Sequence, residues 1–92
     1  MVERRVEIVN VLGLHARPAA RFVRTATKFR SKVTITKDGT TTDGKSILGI
    51  LFLVAAVGSV ITICANGEDE EAALNALVTL VSEGLGEKRS GS

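Results

Sequence analysis

The stretch GLHARPAA, residues 13–20, brings together the chain's one histidine, His15, its one proline, Pro18, and a fixed positive charge, Arg17. Imidazole changes charge near neutrality, and its neutral form has a nucleophilic ring nitrogen. Proline is tolerated in the first turn of a helix, where its missing N–H would have had no partner anyway. It also disfavours helical backbone for the residue before it, so a helix start between His15 and Pro18 is expected. The unpaired amides of that first turn, those of Ala16 and Arg17, form with the Arg17 guanidinium an anion site beside the imidazole. Two kinds of chemistry fit. As a general base, His15 would need a substrate pocket and usually an orienting carboxylate, and no Asp or Glu lies within the motif. As acceptor of a phosphoryl group it needs a neutral ring nitrogen, donors for the phosphoryl oxygens and access for partners, all of which the motif supplies. The plainer alternative is a histidine that only caps or packs.

The elements that must hold this motif are legible from periodicity. Residues 2–9, VERRVEIV, place Val2, Val6 and Ile8 on one side and Glu3, Arg5 and Glu7 on the other, the alternation of a half-buried strand. From about residue 16 the period changes: Ala19, Phe22, Val23 and Ala26 fall on one helical face. KVTIT (32–36) alternates again, Asp38-Gly39 supplies a hairpin turn, and TTTD forms a short return strand. SILGILFLVAA predicts a short helix beginning at Ser46, and SVITICA (59–65) a strand. The last helix opens on Glu68, Asp69, Glu70 and Glu71, which complement its positive end, carries Leu74, Leu77, Val78 and Val81 as its apolar stripe, and stops at Gly84 and Gly86. The order is β-α-β-β-α-β-α. Half-buried strands and singly striped helices pack economically as an α+β fold, a four-stranded antiparallel sheet with three helices on one face. The other face would turn Arg5, Glu7, Thr34, Thr36 and Cys64 to water. Residues 1–87 form one domain, and KRSGS, residues 88–92, reads as a flexible solvated tail.

Composition narrows the function. Twelve basic against ten acidic side chains leave no broad polycationic surface for nucleic acid, and Phe22, Phe29 and Phe52 are the only aromatic residues available for base stacking. Cys64 is the one cysteine, so no intramolecular disulfide forms and no metal site is expected. No motif calls for a cofactor. A lone thiol behind an N-terminus unlike a signal peptide fits the cytoplasm. The uncharged run from Ser46 to Gly67 is long enough to suggest a membrane span, but Gly58-Ser59 interrupts it and VITI alternates, so a buried helix, a turn and a strand are expected instead of membrane insertion.

Two further patterns surround the motif. At about 100° per residue, Arg17, Arg21, Arg24 and Lys28 share one stripe of the first helix, a surface suited to acidic partners or simply a solvated face. In the second helix Ile50 and Leu53 serve the core, leaving Ile47, Leu48 and Leu51 as candidates for an exposed apolar contact. Ser46 reads as the N-cap of that helix.

GLHARPA around His15, DGKSILGIL (43–51) and ANGEDEEAAL (65–74) together resemble the histidine-containing phosphocarrier family, HPr, of the bacterial phosphoenolpyruvate-dependent phosphotransferase system, from about Val2 to Glu87. The resemblance implies an open-faced β-sandwich. It also implies a phosphoryl shuttle rather than an enzyme: His15 takes the group on Nδ1 from Enzyme I and passes it to a IIA domain, while Arg17 neutralises the travelling charge. It points to Ile47, Leu48 and Leu51 as a partner patch, which the stripe of Arg21, Arg24 and Lys28 read from the helical projection would complete as a docking surface. Ser46 matches the regulatory serine of members controlled by HPr kinase/phosphorylase, which adds that kinase and a transcriptional regulator as expected partners. Leu12, Thr27 and Val57 depart from common family choices, and Arg21 shifts charge along the helix; LGLHARPA is also similar to the nitrogen-related branch. The alternative is a regulatory binding module that docks on a transcription factor or enzyme.

Overall fold

The computed structural model describes residues 1–90. Its elements are β1 (Val2–Glu7), α1 (Ala16–Ala26), β2 (Lys32–Lys37), β3 (Thr40–Asp43), α2 (Ile47–Phe52), β4 (Val60–Asn66) and α3 (Glu70–Ser82). The four strands form one antiparallel sheet in the order β1-β4-β2-β3. Register follows the apolar alternation: Val2 and Val6 face Ala65 and Ile61 across one side of β4, and Val33 and Ile35 face Ala65 and Ile63 across the other. A slip of one residue would turn every one of these side chains to water.

All three helices cover this apolar face, in an open-faced β-sandwich. α1 buries Ala19, Phe22 and Ala26, α2 buries Ile50, and α3 buries Ala73, Leu74, Leu77 and Val81. The opposite face presents Arg5 and Glu7 fully, and Thr34, Thr36 and Cys64 in part. The apolar run resolves into the expected helix, turn and strand. α2 is only six residues long, however, and buries Ile50 alone, so the expectation of a buried helix is corrected: its other side chains turn partly or wholly outward. Among the described residues no helix is long and apolar enough to cross a membrane.

A carboxylate and a backbone turn tie α3 to the rest. At its start, Asp69 accepts hydrogen bonds from the backbone N–H groups of Arg30 and Ser31, both at 2.9 Å, and from the Ser31 hydroxyl. The Ser31 hydroxyl and these amides favour the charged form and hold the Asp69 carboxyl at about 2. At its end the helix closes in a Schellman turn: Leu85 N–H reaches Leu80 O at 3.0 Å and Gly84 N–H reaches Val81 O at 3.0 Å. Gly84 carries the left-handed φ of 91° that this turn requires. Leu85 then drops fully buried into the core, and the chain comes back towards α1.

Residues 88–90, expected as part of a flexible solvated tail, are exposed but have their backbone paired with the segment after β1. Val11 N–H donates to Lys88 O at 2.9 Å, Ser90 N–H donates to Val9 O at 2.6 Å, and Asn10 and Arg89 form a β-bridge. Backbone groups leaving β1 need partners, and this segment supplies them. Residues 91 and 92 lie outside the described residues.

Candidate functional site

The loop between β1 and α1 is built around Gly13, whose φ is 69° and where an added Cβ would sit 2.5 Å from the carbonyl oxygen of Ala55. That close approach allows Leu14 N–H to bond Ala55 O at 2.9 Å, and Leu14 is buried. The fully buried Asn10 closes the loop from below, donating from Nδ2 to Gly13 O at 2.7 Å. His15 follows as the N-cap of α1 with extended backbone, φ −83° and ψ −171°, and its side chain makes no cap hydrogen bond. The alternative of a capping histidine is thereby set aside. Pro18 lies buried in the first turn. Within the described residues the N–H groups of Ala16 and Arg17 have no acceptor in the chain. They carry the positive end of the α1 dipole at the imidazole.

The imidazole is held from an unexpected quarter. Its Nε2 lies 2.9 and 3.0 Å from the two carboxylate oxygens of Glu87, a residue 72 positions away. Glu87 also accepts a hydrogen bond of 3.1 Å from Asn10 Nδ2, and its own N–H bonds Gly84 O at 3.0 Å. The His15 side chain is 38% exposed and that of Glu87 18%. Burial pushes the Glu87 carboxyl up; hydrogen bonds from His15 and Asn10, with the charges of His15 and Arg21, more than reverse this and leave it below the usual carboxylate range. His15 Nδ1 has no hydrogen-bond partner among the described residues.

Arg17 is exposed, and within the described residues its guanidinium has no ion-pair or hydrogen-bond partner. Arg24 and Lys28 are exposed further along α1. Arg21 departs from the expected stripe. Its Nη1 donates to Leu85 O at 2.8 Å, and it lies so close over Gly86 that any Cβ there would collide with the guanidinium. The carbonyls left by the end of α3 need donors, and Arg21 is within reach; it braces the turn that carries Glu87.

Beside His15 opens a cleft of about 280 Å³ lined by Leu12, Leu14, His15, Leu51, Val54, Ala55 and Ala56. Ile47 and Leu48 are exposed and Leu51 is half-buried, whereas Ile50 and Leu53 are core, the division the sequence anticipated. Sequence reasoning missed Leu12, Phe52 and Val54, which are 72, 81 and 76% exposed and extend the apolar surface. Ser46 is the N-cap of α2, and its Oγ accepts from Gly49 N–H at 3.1 Å. Glu87 and Asn10 were also missed as site residues, since nothing local to the histidine motif signals them. Among the described residues no cluster of His, Cys, Asp and Glu could hold a metal ion.

Comparison with known proteins gives a consistent set. The family model described as the PTS HPr component phosphorylation site matches residues 2–83. The phosphocarrier protein HPr of Neisseria meningitidis is 44% identical over 87 residues, covering 95% of this chain and 98% of that protein. The HPr-like protein Crh of Bacillus subtilis is 45% identical over 83 residues, covering 90% of this chain and 98% of the relative. The crystal structure of HPr-C-His from Thermoanaerobacter tengcongensis superposes with a TM-score of 0.92 at 48% identity, covering 96% of this chain and 99% of that one.

Proposed function

Because the chain belongs to the HPr phosphocarrier family of the phosphotransferase system, we propose that His15 accepts a phosphoryl group on Nδ1 from phosphorylated Enzyme I and delivers it to a IIA domain. The observation that carries this reading is the partly exposed imidazole at the N-terminus of α1, with Nδ1, the Ala16 and Arg17 amides and the Arg17 guanidinium all unclaimed within the described residues. Phosphoryl transfer depends on positioning and charge stabilisation more than on covalent help from the protein. A reversible carrier must release the group again, and two amides with one arginine suit that better than a deep cationic pocket.

Partners dock across the surface around the ring. Arg24 and Lys28 offer positive charge, and Ile47, Leu48 and the exposed edge of Leu51 offer apolar contact. Arg21 contributes indirectly, by bracing the turn behind Glu87. Phosphorylation of Ser46 regulates docking: a dianion is tolerated at the N-terminus of α2, yet it places charge beside the apolar contact and repels an acidic donor. An HPr kinase/phosphorylase and a transcriptional regulator complete this reading. The likeness to Crh favours a second one, a regulatory binding module, in which His15 carries no phosphoryl group.

One experiment separates the two. On incubation with phosphoenolpyruvate and purified Enzyme I, the carrier gains an acid-labile, alkali-stable phosphoryl group, and His15→Ala abolishes it while retaining the wild-type circular dichroism and melt. Full labelling of the folded variant, or none of the wild type, removes the carrier reading.

A further inference from the structure

Asn10 is fully buried, yet its Oδ1 has no hydrogen-bond partner among the described residues. An unpaired buried acceptor is costly, and each such group in a folded protein calls for an explanation. Here it lies at the other end of the carboxamide. We propose that Asn10 is a positioning residue for phosphoryl transfer, its buried side chain locking Gly13 and, through the Gly13 carbonyl, the backbone of His15. The inference rests on reading His15 as the phosphoryl acceptor.

The orientation of the carboxamide follows from its partners. Nδ2 lies 2.7 Å from Gly13 O and 3.1 Å from Glu87 Oε1, both acceptors, so a flipped amide would set oxygen against oxygen twice. Nδ2 has two hydrogens, and each has a use. The backbone carbonyl of the same residue accepts Gly13 N–H at 3.0 Å. Asn10 thus holds both backbone polar groups of Gly13. Gly13 O in turn accepts His15 N–H at 3.0 Å, which commits that amide and leaves the open ones to begin at Ala16.

Gly13 needs such a clamp. Its φ of 69° and the Ala55 carbonyl oxygen against it exclude a side chain, and the lack of one gives it the widest backbone freedom in the loop, two residues before the imidazole. Rotation there would swing the ring relative to the Ala16 and Arg17 amides. Asn10 removes that freedom from below, and the buried Leu14, bonded to Ala55 O at 2.9 Å, removes it from the side. The β-bridge between Asn10 and Arg89 holds the clamp's own backbone in place. Reacting atoms must be held close and aligned, and a misplacement of about 1 Å costs on the order of a hundredfold in rate. Asn10 itself is buried away from any partner, so loosening the clamp costs rate and not docking.

The test compares wild type with Asn10→Ala and Asn10→Asp. Alanine removes the two donors and the unpaired oxygen together and leaves Gly13 O with the His15 amide, so the melting midpoint should fall by no more than about 5 °C. Aspartate keeps the shape of the side chain but turns an acceptor on Gly13 O and Glu87. With saturating phosphorylated Enzyme I, single-turnover acceptance should fall roughly tenfold in Asn10→Ala and at least as far in Asn10→Asp. The half-saturating Enzyme I concentration should stay within about twofold of wild type. In wild type the Gly13 and His15 amides should exchange slowly beside those of Ala16 and Arg17, and Asn10→Ala should erase much of that difference. A wild-type acceptance rate in either folded variant, or a change confined to half-saturation, overturns the role of Asn10. So does free exchange at Gly13 and His15 in wild type, a result that needs no variant to fold. Failure of the wild-type chain to take up any phosphoryl group overturns instead the acceptor reading beneath it.

Discussion

α3 is flanked by two carboxylates, one reaching the N-terminal end of α1 and the other the connector that follows it. Asp69, before its first turn, grips the backbone amides of Arg30 and Ser31 and the hydroxyl of Ser31, just beyond the C-terminal end of α1. Glu87, past its last turn, grips His15 at the N-terminal end. The side-chain chemistry is the same, but the partners differ. Amides and a hydroxyl keep one charge state at every pH of interest, so the Asp69 clasp is permanent. Imidazole changes charge when it is phosphorylated, so the Glu87 clasp takes part in whatever the ring does. One end of the helix pair is held by groups of fixed charge and the other by a ring whose charge can change.

Substitutions at the two ends should therefore separate stability from transfer. After loss of His15 itself, the largest effect is expected from Arg17→Ala. Removing the one unengaged guanidinium of the first turn should slow phosphoryl acceptance about a hundredfold, while the melting midpoint barely moves because the side chain is exposed and unpaired; rapid-quench labelling beside a thermal melt reads both. A substantial loss of stability would place Arg17 with Asp69 as a structural residue.

Ser46→Asp adds charge at the start of α2, where the neighbouring Lys45 donates to Phe29 O, and beside the apolar contact of Ile47 and Leu48. Aspartate is as good an N-cap as serine, so α2 should stay folded. Acceptance from Enzyme I should fall by about tenfold at low ionic strength, and less in high salt, since the added charge acts through repulsion. Initial rates at two salt concentrations decide it, and equal rates for variant and wild type would exclude Ser46 from control of docking.

The smallest effect concerns the fixed end. The folded-state value of Asp69, about 2, lies below the ordinary 3.8, so its charged form stabilises the fold above that ordinary value and the contribution disappears as pH falls towards about 2. Asp69→Asn should lower the melting midpoint by a few degrees near neutrality, with the gap to wild type closing across that acid window and transfer unaffected. A gap constant with pH would show that the Asp69 charge plays no part.

Patterns carried by neighbouring residues were legible from the sequence. Alternation gave the strands, the Ala19, Phe22 and Ala26 face gave α1, and the Gly13–Pro18 motif gave the helix start beside His15. The contact of Glu87 with His15 was not, because it depends on the Schellman turn, the burial of Leu85 and the bracing by Arg21 acting together across 72 positions of sequence. Arg21 shows the limit from the other side: the helical wheel placed it correctly around α1, but a long side chain bends towards whichever acceptor tertiary packing leaves open. Phe52 and Val54 were not singled out as exposed, because hydropathy does not say which of a continuous run the short α2 will turn outward.

Val54 lines the cleft beside His15 with its backbone at φ 51°, a conformation that crowds a β-branched side chain. The next residue, Ala55, accepts the Leu14 amide and abuts Gly13. Tension in the connector after α2 is thus mechanically linked to the loop that sets the imidazole. A visiting protein that pressed on Val54 would be felt at Gly13 first, making the amides of residues 53–56 and 13–14 the place where hydrogen exchange should register its arrival.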